Sequence, residues 1–402
     1  MTGLRALVLG LGLILAGPAR AEPWLDRAPG AIRVATLNAG LVRKGAGMLV
    51  NQMTRGGGQI DAVAEIILLV RPDILLLIKF DRDPEHRALT GFAERLRAGL
   101  AGLEGLDYPF LYQGPVNTGL PSGHDLDGDG YRRGPRDAFG YGRFPGQYAM
   151  ALLSRYPIDY DRLRGFRRFL WADLPGADRP VGADGTPYHP DPVWNDLRLA
   201  SVSLWDVPID LPGDVVLHVL ASHPTPPVFD GPEDFNGRRN ADEIRLLLGL
   251  IDGAAWLRDD RGKRGGLGPG DLFVVVGDLN ADPFDGEARR GAITALLAHP
   301  RVRDARPESA GGAEAALSGG ANAGHRGPAA QDTADWRDDP GPGNLRVDYV
   351  LPSTGLEIAG SGVFWPLADD PLARLIAKDP TGGRRPASSD HRLVWVDIVV
   401  GR

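Results

Sequence analysis

The feature that most constrains this chain is a series of short apolar runs, each bounded by turn residues and most giving way at one end to a polar or charged side chain. They lie at 32–37, 74–78, 148–153, 199–205, 215–221, 272–276, 347–351 and 393–399. Runs of about four to eight branched apolar residues between such boundaries read as buried β-strands. Helical stripes fall between some of them: Ile60, Val63, Ile66, Ile67 and Val70; Leu89, Phe92, Leu96 and Leu100; Ile244, Leu247, Leu248 and Ile251; and the shorter Ile293, Leu296 and Leu297. Long turn-rich segments separate other strands, which favours a mixed α/β sandwich over a repeated βαβ wheel. The Gly-, Ala-, Pro- and Asp-rich stretch 307–343 reads as a long, flexible, exposed loop. With no internal repeat and no composition break, residues 22–402 read as a single domain.

Hydrophobic content of 43% is enough for a sizeable core. The net charge of −7 argues against a surface that coats nucleic acid in general, while leaving room for a locally basic cleft or a bound metal. Residues 1–21, MTGLRALVLGLGLILAGPARA, place Arg5 before an apolar run and end in Ala19-Arg20-Ala21. That is the pattern of a secretory signal peptide, giving a mature start near Glu22 and an expected periplasmic or secreted protein without stable membrane insertion. The chain has no cysteine, which excludes disulfides and thiolate catalysis.

The chemistry-bearing residues cluster at strand ends. Asn38 follows the first run in ATLNAG, His223 follows another in LASHPTPP, and VVVGDLNADP holds Asp278 and Asn280 two apart. Asp348 interrupts the apolar LRVDYVLP, and Asp390 with His391 precedes the last run in SSDHRLVWV. Singly, most of these are ordinary turn residues. Asp348 is different, since a carboxylate inside a buried strand needs partners.

In this order the pieces resemble the endonuclease/exonuclease/phosphatase family, with GDLNADP, RVDYVLP and SDHR the most specific and the likeness running from Ile32 to the C-terminus. SHPTPPVFDGPEDFNGRRNADEIR and PGQYAMALLSRYPI look like an exported bacterial branch of it. The resemblance implies an α/β (α+β) four-layer sandwich, two mixed β-sheets face to face flanked by helices. It also implies metal-assisted attack of water on a phosphoester, with Mg²⁺ or Mn²⁺. Under it, Asp278 orients or deprotonates the water and Asn280 steadies the phosphate. His391 sits against the scissile phosphate, Asp348 and Asp390 fix histidines or help to hold metal, His223 contacts the phosphate, and Asn38 lies beside the metal.

One position departs from the family. In RPDILLLIKFDRD the strand ends in Lys79, where the family has a metal-binding glutamate. Three readings are open: Asp81 replaces the missing ligand from the same face of an extended strand; Lys79 supplies the positive charge itself; or the site is degenerate and binds phosphate ligands without turnover. Gln147 and Tyr148 fall where some relatives contact phosphate. Arg238 and Arg239 offer a bidentate phosphate clamp, with Arg43 and Lys44 as weaker candidates, and Asn240 with Glu243 reads as a helix capping pair. In HDLDGDGYRRGPRD, Asp125, Asp127, Asp129 and Gly130 are spaced like the first half of a Ca²⁺ loop, but the twelfth position is Arg136, with Asp137 just beyond. The expected activity is an exported phosphoester hydrolase acting on small or medium phosphate esters. The alternatives are a secreted nuclease on DNA or RNA and a non-catalytic phosphate-ligand binder. Trp336 and Trp365 are the candidates for membrane contact.

Overall fold

The computed structural model describes residue 24 and residues 26–378 and 386–401; the expected signal segment 1–21 lies outside them. In chain order the strands are β1 (Ile32–Leu41), β2 (Ile74–Phe80), β3 (Phe110–Tyr112), β4 (Ala151–Ser154), β5 (Arg164–Gly165), β6 (Leu204–Leu211), β7 (Val215–Ser222), β8 (Leu272–Asp278), β9 (Ala334–Asp335), β10 (Asn344–Leu345), β11 (Asp348–Pro352), β12 (Glu357–Val363) and β13 (Val394–Val399). The helices are α1 (Met48–Met53), α2 (Gly58–Val70), α3 (Arg87–Ala98), α4 (Asp191–Trp194), α5 (Phe235–Ile251), α6 (Arg290–Leu297) and α7 (Ala310–Ala315). Among the described residues, no helix is long and apolar enough to cross a membrane.

Two mixed sheets carry the fold, ordered β12-β13-β1-β2-β4-β3 and β11-β8-β7-β6-β5. Each contains one parallel pair, β1 with β2 and β7 with β8, and all other pairings are antiparallel. A parallel pair needs a crossover, and α2 and α5 lie in those two connections. The carboxyl ends of β1, β2, β7 and β8 are therefore the places where loops are free to carry chemistry.

Burial explains why the strands read as continuous apolar runs rather than alternating ones. On β8, Val274 and Val276 join Val34, Val207 and Val219 in the core between the sheets. Phe273 and Val275 point the other way and pack with Ile244, Leu247 and Ile293 of α5 and α6. Both faces of the sheet are thus covered, giving the expected four layers. Gly277 is required at the end of β8: a Cβ there would sit 1.9 Å from the Ser222 carbonyl oxygen of β7.

A buried ion pair fastens β1 to its antiparallel neighbour β13. Arg33 and Asp397 are register partners. Arg33 Nε and Nη2 donate to the two Asp397 carboxylate oxygens, each at 2.7 Å, and Nη1 donates to the Val70 carbonyl at the end of α2 at 2.8 Å.

Several expectations shift. The runs at 148–153 and 199–205 form strands only from Ala151 and Leu204 onward. Strand β12, with the sequence EIAGSGV, carried no apolar run and was not expected. The stretch 307–343 is not a bare loop, since it holds α7, short 3₁₀ turns and β9, which pairs with β10. Removing one partner of a buried ion pair strands the other charge, so Asp397→Asn should lower unfolding free energy by about 3–5 kcal/mol. Chemical denaturation of the variant checks this, and a loss below about 1 kcal/mol would contradict the role given to the pair.

Candidate active site

Six side chains from the carboxyl ends of the parallel strands, from β11 and from the segment before β13 converge at one edge of the sandwich. Asn38 comes from β1, Lys79 from β2 and Asp278 from β8; His223 directly follows β7, Asp348 opens β11, and His391 lies just before β13. Asp348 and Asp278 are register partners, so two carboxyl groups face each other across adjacent strands. Like charges directly opposite are unfavourable, and burial adds to the cost. Burial raises Asp278 above the usual carboxylate range, with the Asp348 charge pushing the same way. Burial likewise pushes Asp348 up to about 8.

The groups are joined by a continuous hydrogen-bond chain. Thr333 Oγ1 donates to Asp348 Oδ2 at 2.9 Å, and that oxygen lies 2.8 Å from His391 Nδ1. Asn38 Nδ2 donates to Asp278 Oδ2 at 2.8 Å and lies 3.1 Å from His391 Nε2. Because the amide nitrogen has only protons to offer, it assigns the tautomer: Nε2 accepts, and Nδ1 carries the proton toward Asp348. Burial pushes His391 down to about 4, keeping the imidazole neutral. Trp336 packs edge-on against its ring at 5.3 Å.

His223 stands apart from this chain. It is buried, its Nε2 is 3.6 Å from Asp278 Oδ2, and neither ring nitrogen has a hydrogen-bond partner. Burial, then the Lys79 and His391 charges, hold it well below the usual histidine range. Lys79 is half-buried, and its charge bears on Asp278, Asp348, His391 and His223 alike.

The backbone is forced to deliver these groups. Lys79 and Asn280 have φ of 52° and 50°, left-handed values that cost a non-glycine residue on the order of 1 kcal/mol. Lys79 lies where the β1–β2 register shifts between Asn38 and Leu41. Asn280 donates its backbone N–H to Asp278 Oδ1 at 3.0 Å and its side-chain amide to the Pro224 carbonyl at 2.9 Å, fixing the loop behind His223.

Several residues expected at the site do other work. The turn at Lys79 breaks strand alternation, so Asp81 does not share its face. Asp81 instead accepts backbone N–H bonds from Arg43 at 2.7 Å and Tyr148 at 3.1 Å, and burial raises it to about 6. Gln147 is buried between the Arg143 N–H and the Arg43 carbonyl, a link between loops rather than a phosphate contact. Tyr148, at φ 59°, packs against Tyr141. Arg238 pairs with Asp178, and Arg239 is buried, donating to the carbonyls of Leu199, Phe139 and Arg198, so neither is free to clamp phosphate. Asp390 lies outside the ligand group, and its carbonyl accepts from the Asp335 N–H at 2.8 Å. Trp365 is buried against Arg392, not offered to a membrane.

Sequence reasoning missed the supports. Asn240 and Glu243 do not cap α5, which begins at Phe235; they project from its buried side. Asn240 Nδ2 donates to the Thr225 and Leu279 carbonyls, at 2.8 and 2.9 Å. Glu243 accepts from the Thr225 N–H at 2.7 Å and from the Ser201 N–H and hydroxyl, at 2.6 and 2.9 Å. Burial raises it to about 7. The run NADE carried the signal, as polar residues one turn apart inside an amphipathic helix, but was read as a helix start. Thr333 had no signal within its Asp- and Gly-rich surroundings.

Asp278, Asp348 and His391 offer metal-ligating atoms within 4.8 Å of one another. Asp348 Oδ1 is buried without a partner, an open acceptor that suits a cation. The two carboxylates therefore fit one divalent ion, and His391 Nε2 would join them on releasing the Asn38 amide. Lys79 has no lone pair to give while protonated and lowers the charge such an ion would meet.

Curated proteins yield no match. Among solved structures, an endonuclease/exonuclease/phosphatase from Beutenbergia cavernae is 19% identical, with a TM-score of 0.48 over 92% of this chain and 72% of that one. The human Nocturnin catalytic domain is 13% identical, with a TM-score of 0.45 over 94% of this chain and 99% of that one. A mannosyl-6-phosphatase from Bacteroides thetaiotaomicron is 12% identical, with a TM-score of 0.45 over 92% and 99%. The model of the Endonuclease/Exonuclease/phosphatase family matches residues 50–391, and the chain, with its paired sheets and its Asn, Asp and His edge, belongs to that family of phosphoesterases and nucleases.

Proposed function

We propose that the chain is an exported phosphoester hydrolase in which the Lys79 ammonium shares the work of charge neutralisation at the phosphate. The observation that carries this reading is His223: a buried, neutral imidazole with both nitrogens unpartnered, 3.6 Å from the carboxylate suited to hold a water. Two open ring nitrogens cost free energy unless a ligand meets them. Export rests on the signal-like residues 1–21.

In this mechanism Asp278, anchored by the Asn38 amide and the Asn280 N–H, accepts the proton of the attacking water as its oxygen bonds to phosphorus. Lys79 and the His223 N–H face the phosphoryl oxygens, where charge builds in the transition state. An arriving phosphate anion favours a protonated His391, whose Nδ1–H stays on Asp348 while Nε2–H gives its proton to the leaving oxygen as the ester bond breaks. Mg²⁺ or Mn²⁺ held by the Asp278 and Asp348 carboxylates would add Lewis-acid stabilisation of the same charge, leaving His391 to its proton.

A nuclease is the second reading, favoured by a group of arginines further along the same edge. Arg82 follows β2, Arg167 and Arg168 follow β5, and Arg198 stacks over Phe139 at 4.1 Å. Burial, with repulsion from neighbouring guanidinium groups, lowers Arg167 and Arg198 below the usual arginine range. Such a group suits a substrate with more than one phosphate. A steep fall of polynucleotide binding with added salt would favour it, whereas salt-insensitive turnover of a small ester would favour the phosphatase.

Asp278→Ala should reduce turnover of bis-aryl phosphate or aryl phosphate by about 10²-fold or more. Lys79→Glu should lower kcat/KM under the proposal. Turnover that appears only in Lys79→Glu would instead mean that the native site binds without catalysis. Because burial raises Asp278, and a base works only when deprotonated, activity should fall with decreasing pH through a midpoint above the ordinary carboxylate value of about 3.9. A pH profile of kcat/KM with its acid limb at or below that value would contradict the assignment of Asp278 as the base.

A further inference from the structure

We infer that the loop between β3 and β4 holds a Ca²⁺ site built from Asp125, Asp127 and Asp137, separate from the catalytic group. Carboxylate oxygens of these three residues lie within 4.8 Å of one another. Acidic residues in a turn are commonplace; what distinguishes this group is Asp137. It is 2% exposed, and its Oδ2 is buried with no hydrogen-bond partner. Its Oδ1 accepts from the Leu126 N–H at 2.8 Å, which directs the carboxyl group onto the turn between Asp125 and Asp127. Among the described residues, no lysine, arginine or histidine forms an ion pair with any of the three. A buried carboxylate oxygen with neither donor nor counter-charge is strongly unfavourable, and a bound cation removes that cost.

The turn itself has the shape of a cation loop. Asp125 accepts from the N–H groups of Gly128 at 2.8 Å and Gly130 at 2.9 Å, and Gly130 takes a left-handed φ of 86°. Gly130 is the sixth residue from Asp125, where Ca²⁺ loops place their glycine. The sequence lacks a closing carboxylate at the twelfth position, Arg136, and the fold supplies one from the next residue, Asp137. Asp129, expected as a ligand, is instead turned to the Tyr131 N–H at 2.8 Å and stays outside the group. Three hard carboxylate oxygens on a partly exposed loop suit Ca²⁺ better than the small, octahedral Mg²⁺.

The test is calorimetric Ca²⁺ titration of the full-length mature chain after chelator treatment, with thermal unfolding in parallel. One Ca²⁺ should bind with a raised unfolding temperature, in Asp278→Asn as well as in the parent chain, and excess Mg²⁺ should not displace it. Asp127→Asn alters an exposed side chain and leaves the fold intact; it should weaken Ca²⁺ binding about ten-fold or more, and Asp137→Asn should abolish it. No Ca²⁺ uptake by the parent chain would overturn the site. So would uptake that persists unchanged in both loop variants, or that disappears in Asp278→Asn while surviving in them.

Discussion

The amide of Asn38 is the point at which two sheets become one site. It donates to Asp278 on the second sheet and meets His391 beside the first, reaching partners 240 and 353 residues away in the chain. Neither contact survives a slip of one sheet over the other. The interdigitated core holds that alignment, and β7 reaches β8 closely enough only because Gly277 has no side chain. The packing of branched aliphatic side chains therefore sets catalytic distances to within a fraction of an ångström.

Much of this was legible because buried strands end abruptly. An apolar run that stops at a polar residue marks the chain's emergence at an edge, which singles out Asn38, His223 and Asp278; His391 stands just ahead of the last run, and Asp348 shows as a carboxylate inside one. The mixed α/β sandwich followed from the apolar runs and the long turn-rich segments between them, and its four layers from the resemblance to the family. Non-local geometry was not legible. The register placing Asp348 opposite Asp278 depends on antiparallel pairing across a long separation. Asp81 was misjudged because alternation assumes an extended backbone, and Lys79 takes φ 52°. Arg239 was misjudged for a different reason: its charge suggested solvent, yet three backbone carbonyls needed a donor more.

Glu243 shows how far the supporting structure extends. A single carboxylate satisfies the N–H groups of Ser201 and Thr225, residues on loops entering and leaving the second sheet. Asn240, three residues earlier on the same side of the helix, holds the Thr225 and Leu279 carbonyls. Helix α5 thus does more than cover the sheet. Its polar inner side fixes the loop that carries His223 and the segment just past Asp278, so the edge is held from behind by hydrogen bonds as well as by packing.

Unmet polar atoms are rare inside proteins, and among the described residues four of the fifteen lie at or just behind the catalytic edge. His223 Nδ1 and Nε2 and Asp348 Oδ1 lie at the catalytic edge, and Asn240 Oδ1 lies just behind it. The left-handed Lys79 and Asn280 add backbone strain at the same edge. A chain selected for stability alone would have satisfied or replaced these groups. Their persistence fits a site completed by something outside the chain, whose charge the Lys79 cation shares under the proposed function. The family's usual glutamate would leave one more anion in this buried group; a lysine reverses that balance and makes an anionic ligand easier to accept before any metal arrives.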